Sequence, residues 1–183
     1  MADQTFTSGQ ILTAAQMTTL QANSGLVSIG TYTNSAATTL TASGCFSSTF
    51  AAYHLVFNGT GGTALSGDIT CQFLIGATPT TVNYTNSIIF NSNAAGPTRA
   101  YNAGVANFVI GSNGAAGSVF TYDVFAPNFA RPTVVVGTYA GFGTVSSFTA
   151  SNWAQQSDAS QFTGLTLTAS NAFTGTLQVY GYR

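Results

Sequence analysis

No lysine and no glutamate occur in the 183 residues, and that shortage constrains the chain more than any motif in it. The charged side chains are Asp3, Asp68, Asp123, Asp158, Arg99, Arg131 and Arg183, 4% of the sequence. Ordinary soluble domains carry about 25%. Solubility therefore rests on Thr, Ser, Asn and Gln. Few groups titrate or are screened, so stability is expected to respond little to salt or to mild pH changes. A formal net charge of -1 also leaves little repulsion between copies, which favours self-association. Three scattered arginines cannot track a phosphate backbone, so nucleic acid is excluded as a partner. No apolar run approaches the roughly 20 residues of a spanning helix, so no membrane span is expected. Met1-Ala2-Asp3-Gln4-Thr5 lacks the basic and apolar regions of a signal peptide, which points to synthesis in a cytoplasm.

From Leu26 onward the chain reads as short strands rich in Val, Ile, Thr, Tyr and Phe, separated by Gly, Asn, Ser and Pro clusters. The candidates are Leu26–Tyr32, Ala52–Asn58, Asp68–Ile75, Thr81–Phe90, Ala106–Ile110, Ser118–Ala126, Thr133–Tyr139, Val145–Ala150, Gly164–Ala169 and Gly175–Tyr182. Alternation assigns faces: Phe120, Tyr122 and Val124 share one, while Val119, Thr121, Asp123 and Phe125 share the other. Leu177, Val179 and Gly181 likewise oppose Gln178, Tyr180 and Tyr182. Turn signals every eight to twelve residues predict an all-β fold, an antiparallel β-sandwich or jelly roll. Leu40–Phe46 echoes Leu167–Phe173 and reads as one strand–turn–strand chemistry used twice.

Residues 1–25 differ and form an expected N-terminal arm ahead of a β domain over 26–183. Thr13 is a candidate N-cap for a short helix over 14–22, with Gln16 completing a capping box and Leu12 packing on Met17. A helix this short needs a surface to lie on.

The residues offer little for catalysis, and no enzyme is expected. His54, the one histidine, lies in the apolar run Tyr53–Phe57 and reads as structural or interfacial; no Gly-x-Ser-x-Gly elbow accompanies it. Cys45 and Cys71 read as small buried apolar residues, with a bridge between them as the minor alternative. One His, two distant Cys and four single Asp give no metal site and no paired carboxylates, and each Asp reads as a turn former or cap. Gly59-Thr60-Gly61-Gly62-Thr63-Ala64 matches a dinucleotide fingerprint, but a strand rather than a helix is expected after it, so no cofactor is implied. Among the aromatics, Trp153 in the polar segment Ser151–Asp158 is the candidate ligand contact, as a stacking platform for a sugar ring.

Three segments carry a resemblance. Phe6-Thr7-Ser8-Gly9-Gln10-Ile11-Leu12-Thr13-Ala14-Ala15-Gln16-Met17 resembles the opening of many phage tail, fibre and minor structural proteins, with Thr18 where Asn is frequent. Phe173–Arg183 is similar to the closing strand of that group, and Phe50–Phe57 to its aromatic central strand. The resemblance implies a β-sandwich knob of a virion, often trimeric, attached to other tail or capsid proteins by an arm bearing Phe6, Ile11, Leu12, Met17 and Leu20. It carries no active site. A head-decoration protein of the capsid and a module binding host surface glycan are the rival expectations.

Overall fold

A computed structural model describes residues 9, 11, 13–17, 25–61, 67–92, 97–112, 114, 116–142 and 147–183, with Ser92 by its backbone only. Eleven strands run β1 (Leu26–Ala42), β2 (Ala52–Gly61), β3 (Asp68–Ile75), β4 (Thr78–Pro79), β5 (Tyr84–Ser92), β6 (Thr98–Val105), β7 (Phe108–Ser112), β8 (Gly117–Phe125), β9 (Thr133–Phe142), β10 (Ser147–Gln156) and β11 (Gly164–Tyr182). All belong to one antiparallel sheet that curls onto itself as a sandwich.

The long strands β1 and β11 make the curl. They pair along almost their whole length, and both pass from one layer to the other. Residues 164–169 of β11 pair with β3, whereas residues 173–181 pair with β2. The smaller layer is β3 with β11 on one edge and β4 and β7 on the other. The larger layer continues from β11 through β2, β8, β9, β10 and β5 to β6. Where β1 crosses, its register shifts between Asn34 and Thr39, and Ala36 takes a φ of 49°. The buried Asn34 amide holds this bulge by donating to the carbonyls of Ala37 (2.8 Å) and Phe173 (3.1 Å).

The core lies between the layers. Phe57 stacks on Phe120 at 4.8 Å, and Phe73 stacks on Phe162 at 5.1 Å beside Tyr84 and Phe108. Each fully buried ring of this kind is worth about 1.5–3 kcal/mol of transfer free energy. Rings need seats, and several are glycines: a Cβ on Gly175 would stand 2.5 Å from Phe57, and one on Gly181 would stand 2.5 Å from Phe50. Cys45 and Cys71 are free and buried, with Cys45 pushed up to about 12 by desolvation.

Several expectations need correction. The expected strand Leu26–Tyr32 runs on to Ala42, and Gly164–Ala169 and Gly175–Tyr182 are one strand. The segment Leu167–Phe173 therefore contains no turn; it lies in β11, where Leu167 pairs with Leu40, the first residue of its own echo. β6 lies in a stretch read as a connection, because it is an edge strand exposed along most of its length and has no apolar alternation to reveal it. The polar segment after Ala150 is strand up to Gln156, its buried amide groups donating to carbonyls of other segments, Asn152 to that of Val109 and Gln156 to that of Val82 (3.0 Å), while Asn152 Oδ1 is buried without a partner among the described residues. Gly59–Gly61 ends β2, and Gly62–Ser66 lie outside the described residues.

Candidate functional site

Strand alternation sends every second side chain of the larger layer away from the core, and the register aligns them in rows. One row reads Tyr180, His54, Asp123, Val136, Trp153, Ser87, Tyr101 across β11, β2, β8, β9, β10, β5 and β6. The next reads Gln178, Val56, Thr121, Thr138, Ser151, Ile89, Arg99 on the same strands. Leu26, Ile89, Tyr101, Val119, Phe125, Val136, Phe142, Trp153 and Tyr182 all lie on this outer face; they are nine of the thirteen exposed large apolar side chains among the described residues. An exposed Leu means little alone; nine such side chains gathered on one outer face are more than scattered exposure.

Two open depressions sit side by side on this face and share Thr138. One, of about 350 Å³, is lined by Val56, Asn58, Val119 and Ala140 among others. The other, of about 380 Å³, runs along Trp153 past Ser87, Ile89, Val136 and Ser151.

At one end of the face three strands bring together the polar cluster of the site. His54 Nδ1 donates to Asp123 Oδ1 at 2.8 Å, and Tyr182 Oη donates to the same oxygen at 2.7 Å. Tyr182 Oη also lies 3.5 Å from His54 Nδ1, with the rings edge-on at 6.2 Å. The hydrogen bond to Asp123 pushes the Tyr182 phenol up to about 12. The trio is open to solvent, with His54 26% and Asp123 38% exposed. Asp123 thus corrects the reading of each Asp as a turn former: it sits mid-strand, hydrogen-bonded to neighbours that only the strand register supplies. Asp158 does fit that reading, accepting from Asn83 (2.7 Å) and Gln156 (3.0 Å) in a loop.

Chemically, the trio holds a base and its orienting carboxylate. The side chains around His54 on the face are Ala52, Val56, Tyr180, Tyr182 and Asp123, with Thr121 diagonal to it. Among the described residues no three His, Cys, Asp or Glu side chains gather as a metal would require, and no helix is long and apolar enough to cross a membrane.

The arm residues are placed in part. Thr13 and Gln16 form the expected capping box: Gln16 N donates to Thr13 Oγ1 (3.2 Å) and Thr13 N to Gln16 Oε1 (3.0 Å), starting a helical turn over residues 14–17. Ile11 is 88% exposed and Met17 46%. Phe6, Leu12 and Leu20, and with them the staple onto Met17, lie outside the described residues. Trp153 is 39% exposed on the outer face, as a ligand contact would need. The sequence signal for that face was present in the Phe120/Thr121 alternation; what the sequence lacked was the strand order that joins the rows.

No protein-family model matches the chain, nor does any curated protein or solved structure.

Proposed function

We propose that the chain is a non-catalytic structural protein of a phage particle, a tail or fibre knob that assembles with copies of itself and docks through its N-terminal arm. The observation that carries the self-association is the outer face of the larger layer. It gathers nine exposed apolar side chains, and its charged or titratable groups other than tyrosine are His54, Asp123 and Arg99 alone among the described residues. A second copy is the occupant such a surface suits. Nothing in a nearly uncharged partner opposes it, and closing an interface between copies in a cyclic arrangement, a trimer in this reading, ends growth. Obligate interfaces resemble a domain core cut in half, and this face mixes its exposed apolar side chains with uncharged Thr, Ser and Gln. The resemblance of the two ends and of Phe50–Phe57 to phage structural proteins supplies the particle. A decoration protein of the head uses the same surface logic; copy number per particle separates the two.

The test is charge placed on the face. Tyr101→Lys and Val119→Lys alter exposed positions and leave the core alone, so folding changes by less than about 0.5 kcal/mol. Between copies they bring lysines into a dry contact, which costs several kcal/mol. Sedimentation velocity should show an oligomer for the parent chain and a monomer for each variant, both with the parent's thermal midpoint. Variants that associate like the parent would place the contact elsewhere.

A second reading is favoured by one observation: exposed Trp153 borders a depression carrying the hydroxyls of Ser87, Thr138 and Ser151. That is the setting in which an uncharged sugar ring stacks on an indole. On this reading a glycan array shows binding that Trp153→Ala abolishes; an array without signal removes it.

A further inference from the structure

We propose that the His54–Asp123–Tyr182 trio is a proton-binding site that links the association of copies to pH, each chain in the assembly holding one more proton there than a free chain does. The inference rests on the reading that copies meet on the outer face of the larger layer.

The trio stands at the margin of that face, between exposed Val136 and Phe125 and half-buried Val56. Around it, β11 contributes Tyr180, Tyr182 and Gln178, β2 contributes Ala52 and Val56, β8 contributes Thr121 and Phe125, and β9 contributes Val134 and Val136. Apart from the phenols none of these titrates, and none is charged. Arg99 lies on β6, four strands from Asp123, a separation of about 19 Å at the usual strand spacing, beyond a Debye length in ordinary buffer. Arg183 follows Tyr182 at the last position, and its backbone N–H is spent on the Gly25 carbonyl (2.9 Å). His54–Asp123 is the one close approach of a basic side chain to a carboxylate among the described residues, an ion pair only when the imidazole is protonated.

With a neutral imidazole the cluster carries the carboxylate's full negative charge, held by two hydrogen bonds and by water. A copy laid over the face removes the water. A net charge in a dry interface is costly, whereas a hydrogen-bonded ion pair of zero net charge costs far less. Covering the face therefore favours the imidazolium, and association takes up a proton. The sign follows: lowering the pH strengthens association. At acid pH, where free chains already carry the proton, the dependence levels off. At higher pH the proton must be drawn from solvent, and the association constant falls by up to tenfold per pH unit for each chain in the assembly.

Sedimentation equilibrium of the full chain from pH 5.5 to 8.5 at fixed ionic strength tests this. The parent should associate at least tenfold more weakly at pH 8 than at pH 6. Asp123→Asn removes the negative charge and keeps an acceptor for Tyr182, so its constant should match or exceed the parent's at high pH and should weaken, not strengthen, toward acid, where the imidazolium has no counter-charge. His54→Gln leaves the carboxylate without a counter-charge, so its constant should be flat and weak. A parent constant that does not change with pH, or a slope that survives in both variants, overturns the proposal and leaves the contact face standing. A parent that is monomeric at every pH overturns the reading of the face itself.

Discussion

Above about pH 10 the chain should lose its fold, although it should tolerate acid well. The reason is what the core contains. Cys45, Cys71, Tyr84, Tyr122 and Tyr139 are buried, and desolvation raises the ionisation of each, from ordinary values of 9.0 for the thiols and 10.0 for the phenols. Each is an acid whose folded-state value lies above its unfolded one. Its contribution is therefore complete below pH 9 to 10 and drains away as the pH rises, because the unfolded chain releases protons that the folded chain must keep. At about 1.4 kcal/mol per group per pH unit, five groups remove on the order of 5–10 kcal/mol by pH 11, comparable to the whole stability of a domain. The acid side has little to lose, since the chain has four Asp and no Glu, and burial raises the Asp68 carboxyl, which favours its protonated form. Urea midpoints measured from pH 4 to 11 should stay level to about pH 9 and then collapse. A plateau through pH 11 would mean that these groups ionise in place and that the core is wetter than the packing implies.

Gly137→Ala should cost about 3 kcal/mol or more, the upper end for overpacking. Gly137 stands between Tyr122 on β8 and Asn152 on β10, in the row that faces the core. The Tyr122 ring lies across it. An added Cβ would come within 2.5 Å of Tyr122 Cδ1 and 2.2 Å of the Thr121 carbonyl oxygen. The ring could shift, but the carbonyl belongs to the paired strand, so relief requires β8 and β9 to separate. For the same reason removing the ring with Tyr122→Leu should not rescue the variant. Thr138→Ala, the exposed neighbour on the outer face, is the control and should change stability by less than about 0.5 kcal/mol. Thermal melts of the three variants decide the matter; a Gly137→Ala chain as stable as Thr138→Ala would contradict the packing described.

These two outcomes mark what the sequence made legible. Phe120, Tyr122 and Val124 alternate with Val119, Thr121, Asp123 and Phe125, and the burial follows that alternation residue by residue. The same holds for Leu177 and Val179 against Gln178 and Tyr180. Local pattern failed where a strand is not half-buried: Thr98–Val105 is wet on both faces, and Asn152 and Gln156 are polar residues buried because carbonyls of other segments meet them. It failed most at the candidate site. His54, Asp123 and Tyr182 are 69 and 59 positions apart in sequence, and only the order β11, β2, β8 brings them together. A lone His in an apolar run and an Asp among aromatics gave no sign of each other. The outer face was half visible, since alternation named its residues strand by strand, but the rows across it depend on pairings that no local signal encodes.

Trp153 is the only tryptophan in the chain and stands on the face where copies are proposed to meet, so its accessibility to iodide, followed against chain concentration alongside sedimentation, tests that contact most directly. Quenching should be strong in dilute solution, where chains are single, and should fall as the oligomer forms, with one midpoint for both signals. An oligomer whose Trp153 remains as open to iodide as that of the single chain would contradict the account.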